Sequence, residues 1–381
     1  MLIGICGAKC AGKRTVAQYL VEHHGFKKLH IEKQKPGESQ NGIAESESEP
    51  EANGTQATPG SYTSSSKDDL TTRTLALRPK NGTKTPPPHT FASVEDLLDF
   101  VTKHWRSRWV TTDVHNEAAL DALSRRPFFI LISVDAPVTV RWRRHQRRHQ
   151  QLHHSNQQGC ISLEDFVAES DADLYDTSAG VLPLMSRAAI RLLNTSDSLA
   201  HLYATLGKLD LTDGDRLRPS WDSYFMALAS LAARRCNCMK RAVGCVLVDS
   251  KRRVISTGYN GTPRNLTNCM EGGCPRCNSG DVSSGVSLAT CLCLHAEENA
   301  LLEAGRERIR DGSVLYCNTC PCLTCSIKIV QVGISEVVYS QGYSMDGETA
   351  RVFLSAGVRL RQFSPPANGL IHLEKMEHTG L

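Results

Sequence analysis

Three short pieces of this chain carry residue types that activate water: His295-Ala296-Glu297, Pro321-Cys322 and Cys325. One imidazole and two thiolates suit Zn2+, and three protein ligands leave the fourth tetrahedral position open for water. Cys322 and Cys325 stand at C-x-x-C spacing in the first turn of a predicted helix, with Pro321 at its start. The positive end of the helix dipole favours ionised thiolates there. His295 opens the preceding predicted helix and offers the third ligand. Glu297 sits two residues on, so it avoids the metal yet faces the bound water. A structural zinc finger would show four matched ligands in two pairs. Here one pair is matched, and a carboxylate accompanies the single histidine. The pattern therefore reads as a catalytic zinc with Glu297 as general base and then acid, since zinc lowers the pKa of its water toward ~7.

These residues need two helices and a sheet to hold them. HAEENALLEAG reads as a helix closed by Gly305, and PCLTCSIKIVQVG as one closed by Gly333. SWDSYFMALASLAARR has apolar or aromatic residues at 221, 224, 225, 228, 229 and 232, a helical period. VGCVLVD and RVISTGY predict a hairpin, SVLYC and SEVVYS two strands, and TARVFLSAG a final helix. The order α-β-β-α-β-α-β-α over residues 216–365 predicts a three-layer α/β/α sandwich, followed by a tail at 366–381.

A second motif lies at the amino end. Gly7, Gly12, Lys13 and Thr15 follow the apolar strand LIGIC and precede a helix, the setting of a phosphate-cradling loop. The loop departs from the usual form by one residue, reading GKRT. Lys13 would contact phosphates and Thr15 would reach Mg2+ with the nucleotide. Asp113 and Asp135 end later strands, and Arg141, Arg143 and Arg144 follow in a lid-like basic helix. Alternating strands and helices up to residue 205 predict a P-loop kinase-like parallel α/β domain, with a linker at 206–215. Within it, about 32–90 is rich in Pro, Ser, Thr, Glu and Gly and is predicted to be a disordered insertion.

Composition narrows the classes. The 381 residues suit about two domains. The net charge of +4 and 6% aromatic content give no basic, aromatic stripe for nucleic acid. No run of ~18 apolar residues predicts a membrane span. Twelve of the 15 cysteines lie from Cys236 to Cys325, a clustering that suits metal in a reducing compartment. A soluble cytoplasmic protein, also present in the nucleus, is expected. Cys238, Cys269, Cys277 and Cys293, with Cys274 and Cys291 as alternates, surround a long loop that needs a clip to stay ordered. Spacing leaves open which four would ligate.

H-x-E with P-C-x-x-C is the signature of zinc deaminases. SWDSYFM, TGYNGTPRNL, LHAEENALLEAG and TCPCLTCSIKIVQVGISEVVYS together resemble the deoxycytidylate (dCMP) deaminase family over about 150 residues. The two-part arrangement is similar to that of fungal-type members. The resemblance implies a cytidine-deaminase-like fold and conversion of dCMP to dUMP with release of ammonia, for thymidylate synthesis. In that reaction zinc hydroxide attacks C4 while Glu297 shuttles protons. It also implies a substrate contact at Asn260, and an effector or subunit contact at Arg306. Activation by dCTP, inhibition by dTTP, a homo-oligomer of hexamer type and, as in some microbial members, a second structural zinc complete what it implies.

Overall fold

The computed structural model describes residues 1–32, 89–152, 161–196, 198–280, 287–342 and 346–373. Most of the expected disordered insertion therefore lies outside the described residues.

The first unit runs β1 (Leu2–Gly7), α1 (Lys13–His24), β2 (Lys27–Ile31), β3 (Thr90–Phe91), α2 (Val94–Lys103), β4 (Trp109–Thr111) and α3 (Glu117–Ser124). It continues with β5 (Phe129–Asp135), α4 (Val138–Leu152), α5 (Leu163–Tyr175), α6 (Leu182–Ser186), β6 (Ile190–Leu193) and α7 (Leu199–Leu209). The fully apolar run of β1 is buried at every position and pairs with both β4 and β5, as a central parallel strand must. Ser93 caps α2 by accepting from the Asp96 backbone N–H, as its place before the apolar period predicts.

The second unit runs α8 (Trp221–Ala233), β7 (Gly244–Val248), β8 (Val254–Tyr259), α9 (Pro275–Asn278), α10 (Ala296–Ala304), β9 (Val314–Thr319), α11 (Leu323–Gln331), β10 (Glu336–Gln341), α12 (Asp346–Ser355) and β11 (Arg359–Gln362). Its sheet has the order β11-β10-β9-β7-β8. Helix α8 packs on one face through Phe225, Met226 and Ala229, against Val246, Val248 and Tyr316. On the other face α10, α11 and α12 bury Ala296, Ala300, Cys325, Ile329 and Phe353 against Cys245, Leu247 and Leu315. The expected three-layer arrangement is thus present, with β11 as an added edge strand. Arg361 on β11 donates to Asp222 at the start of α8 and to Glu336 on β10, tying two layers together.

Two of the expected boundaries change. The stretch 206–215 was expected to be a linker, but Leu206, Leu209 and Leu211 are buried in the first unit's core. Leu206 and Leu209 lie on the buried face of α7, and Leu211 follows it into the same core. The region 366–381 was expected to be a tail, yet β12 (Gly369–His372) pairs in parallel with β6, from Gly369 opposite Ile190 to His372 opposite Leu193. Ile371 and Leu373 join the first unit's core. The first sheet thereby has seven strands in the order β12-β6-β5-β1-β4-β2-β3, all parallel. Arg216 fastens this return, donating to the carbonyls of Leu209, Asp210 and Ala367.

Two glycines set how closely helices approach the second sheet. A Cβ on Gly244 would lie 2.0 Å from the Ala229 carbonyl oxygen of α8, and one on Gly258 would lie 2.1 Å from the Ala296 oxygen of α10. Backbone meets backbone at both places, so neither contact can yield by a side-chain rotation. Gly258 matters for chemistry, because α10 begins at His295 and Glu297. We expect Gly258→Ala to lower stability by about 1–3 kcal/mol through overpacking. It should also cut turnover by roughly a hundredfold, as a misplacement of about 1 Å does. Denaturant unfolding and steady-state kinetics on the same preparation check both.

Candidate active site

The site is built where α10 and α11 begin. His295 is the N-cap of α10 and Cys322 the N-cap of α11, so both sit in extended backbone just before a helix. Pro321 precedes that cap and lies outside the first turn in which it was expected. Cys325 lies one turn into α11 and is fully buried. The His295 Nδ1 atom is 3.3 Å from the Cys322 Sγ and 3.3 Å from the Cys325 Sγ. The three donor atoms all lie within 4.8 Å of one another. A zinc bound tetrahedrally to one nitrogen and two sulfurs would hold N and S about 3.6 Å apart, so these residues fit the ion.

The electrostatics suit the same reading. The Cys322 thiol is brought down to about 3, first by its hydrogen bond with Cys325 and further by that with His295. Its hydrogen bond in turn raises the imidazole pKa of His295. Glu297 is buried at 4% exposure, and burial pushes its carboxyl up to about 7. A divalent cation at the three ligands would oppose that shift.

Two residues not foreseen lock the helix starts together. Glu298 accepts from the His295 backbone N–H at 2.9 Å, a capping box, and its other oxygen pairs with Lys328 on α11. The HAEE string carries the capping-box signal with histidine as the cap. Asn299 donates to the Tyr259 carbonyl at 2.9 Å and ties α10 to the end of β8.

A cleft open to solvent is lined by His295, Glu297, Cys322, Asn260, Thr319, Lys240 and Arg241, and also by Arg276, Cys238, Cys291 and Cys293. Asn260, expected at the substrate, lines it and is 7% exposed. Its amide oxygen accepts from Val243 N–H at 2.8 Å and its amide nitrogen donates to the Arg241 carbonyl at 2.7 Å. The side chain therefore braces the segment before β7 that carries Lys240 and Arg241 into the cleft. Thr319, not foreseen, lines the cleft with a buried hydroxyl that has no partner among the described residues. Arg306 lies elsewhere: it opens a short turn after α10 and donates to the Ile309 carbonyl at 3.1 Å. The six expected cysteines gather into two overlapping groups, Cys238, Cys269, Cys277 and Cys293, and Cys274, Cys277, Cys291 and Cys293.

The amino-terminal motif stands in the other unit. Gly7 and Gly12 take φ of 136° and 113°, values that favour glycine. Lys13 turns back to donate to the Gly7 and Ala8 carbonyls, and burial lowers its pKa. The Thr15 backbone N–H bonds to the Gly12 carbonyl at the start of α1. Arg144, expected in a lid, braces the loop instead, donating to the carbonyls of Ala11, Asn194 and Ser196. Asp113 accepts from the Ile31 N–H at 3.1 Å.

Residues 219–341 match the cytidine and deoxycytidylate deaminase zinc-binding region. A deoxycytidylate deaminase of Schizosaccharomyces pombe is 44% identical over 368 residues, covering 97% of this chain and 99% of that protein. One of Saccharomyces cerevisiae is 49% identical over 280 residues, 71% of this chain and 86% of that protein. One of Mycobacterium phage D29 is 44% identical over 128 residues, 32% of this chain and 95% of that protein. No helix among the described residues is long and apolar enough to cross a membrane.

Glu297 stands beside Cys325 but is not one of the three ligands, so its loss should spare the metal. We expect Glu297→Gln to keep zinc and fold while lowering turnover at least a hundredfold, the lower end of what a general acid–base group contributes at ~10²–10⁴. Metal analysis and ammonia release on one sample test this, and activity above a hundredth of the parent's would contradict the assignment.

Proposed function

This chain belongs to the deoxycytidylate deaminase family, and from that premise we propose that it hydrolyses dCMP to dUMP with release of ammonia. The observation that carries this reading is the triad His295, Cys322 and Cys325 within 4.8 Å, beside buried Glu297. When bound, zinc supplies the Lewis acid that makes water nucleophilic at neutral pH. Glu297 accepts a proton from that water and delivers it to the ring nitrogen as C4 is attacked. It then carries the second proton to the departing amine, so that water and dCMP leave as dUMP and ammonia. The unpartnered Thr319 hydroxyl offers a hydrogen bond to the nucleotide, and burying it unmet would be costly. Lys240 and Arg241 at the cleft supply positive charge for the 5′-phosphate.

The finer reading of the chain follows the same premise. The first unit is taken as a P-loop kinase-like domain that holds a nucleotide phosphate, with Mg2+, over Gly7, Gly12, Lys13 and Thr15. Its support is the strand–loop–helix setting and the inward-folded Lys13. A second structural zinc is placed at Cys238, Cys269, Cys277 and Cys293, whose sulfurs lie within 4.8 Å of one another. Control by dCTP and dTTP and a hexameric assembly with Arg306 in its contact region rest on family membership alone, and a cytoplasmic and nuclear location rests on the cysteine clustering that suits a reducing compartment.

Lys240→Ala should lower kcat/KM for dCMP by about ten- to hundredfold, the worth of a lost charged hydrogen bond. Deamination of deoxycytidine, which has no phosphate, should not change. Equal losses on both would remove the phosphate assignment. A cytosine-bearing oligonucleotide serves as the control, and turnover of it above that of dCMP would overturn the substrate class.

The P-loop is separate from the metal site in sequence and in sheet. Lys13→Ala should therefore leave turnover at saturating dCMP within about threefold of the parent, well short of the ~10² loss that marks a group acting in the reaction. A hundredfold fall with zinc and fold intact would show one composite site.

A further inference from the structure

Among the described residues, the hydrophobic core of the loop between β8 and α10 is made of cysteine. Cys269, Cys274, Cys277 and Cys293 are buried together, with Cys238 and Cys291 packed against them. All six are free thiols in the structure. The two groups of four within 4.8 Å have Cys277 and Cys293 in common. Neighbouring sulfurs stand at 3.8 Å (Cys238 to Cys277), 3.9 Å (Cys274 to Cys291), 3.7 Å (Cys277 to Cys291) and 4.0 Å (Cys277 to Cys293). Sulfurs on one tetrahedral zinc, at ~2.3 Å each, lie about 3.8 Å apart. Every one of these separations is close to an edge of such a tetrahedron.

A single zinc on Cys238, Cys269, Cys277 and Cys293 accounts for four of the six. It leaves Cys274, fully buried, and Cys291, beside an occupied Cys277, without a metal for their sulfurs. Sharing the Cys277–Cys293 edge uses all six. Two Zn2+ and six thiolates carry a net charge of minus two, and the surroundings answer it. Arg276, only 8% exposed, places its Nη1 at 3.8 Å from the Cys277 Sγ and 3.7 Å from the Cys291 Sγ. Asn278 directs its amide nitrogen to the Cys269 Sγ at 3.8 Å.

We propose that this loop carries a binuclear zinc–thiolate centre. Cys277 and Cys293 bridge the two ions, Cys238 and Cys269 complete one, and Cys274 and Cys291 complete the other. This deepens the single structural zinc proposed above and does not depend on the substrate assignment. The centre helps to line the cleft, because Cys238, Arg276, Cys291 and Cys293 all border it and Cys293 precedes the ligand His295 by two residues.

The test is zinc counting on the full chain after a wash with a weak chelator, by native mass spectrometry and elemental analysis. Three zinc ions per chain are expected: the catalytic ion and two in the loop. Two would leave the single structural zinc standing and overturn the shared-edge centre, while one would remove both. Cys274→Ser/Cys291→Ser should fall from three to two, and retention of three would overturn the assignment of those ligands. Zinc absorption fine structure on the unmutated protein keeps the test independent of folding in the variant. A zinc–zinc vector at roughly 3 Å, as edge-sharing ZnS₄ tetrahedra require, is expected, and three ions without that vector would refute bridging.

Discussion

Two helices have to start at one point in space, and most of the second unit can be understood as the means of making them do so. The metal needs an imidazole and two sulfurs at about 3.6 Å separations. One ligand caps α10 and the others lie at the start of α11, 27 and 30 residues further along the chain. The sheet supplies the floor, and Gly258 lets α10 settle against β8 with backbone touching backbone. Glu298, in the first turn of α10, then joins the two helices by pairing with Lys328 further along α11. Misplacing any of these shifts the ligands and the proton carrier together, because Glu297 rides on the same turn as His295.

The cleft has walls of different origin. One comes from helix ends and is rigid for the reason just given. Another comes from the segment at Lys240–Val243, held against the turn after β8 by the two amide bonds of Asn260. The third belongs to the cysteine loop, where single 3-10 turns at Cys269–Glu271 and Leu288–Thr290 and the four-residue α9 are the only regular structure among the described residues. Ordinary loops of this length lack a core of their own. Here sulfur takes the place that leucine and valine hold elsewhere, which explains why so many thiols fall within so short a stretch.

The first unit holds its own core, yet it also receives the last strand of the chain. β12 covers the β6 edge, and Arg216 grips both the exit of α7 and the segment at Ala367. The deaminase sandwich is thus inserted between two pieces of a parallel sheet. Such an arrangement couples the units mechanically through both ends of the sandwich, in place of one flexible join.

The chemistry was legible from residue type and spacing. His295, Glu297, Cys322 and Cys325 declare a catalytic zinc because soft ligands, an open position and a nearby carboxylate leave few other readings. The helices and strands that carry them follow from periodicity and caps. Other features were decided only by tertiary structure. Nothing local marks Gly258 as a helix contact, Thr319 as a cleft hydroxyl or Asn260 as a brace, since each role depends on what another part of the chain brings within hydrogen-bonding or van der Waals distance. The strand at Gly369–His372 is four residues long, and its pairing exists only because β6 offers an open edge. Spacing could place six cysteines around one loop. Their division into two tetrads sharing Cys277 and Cys293 required three dimensions, because a ligand set is defined by distances between atoms and the chain order constrains those distances only weakly.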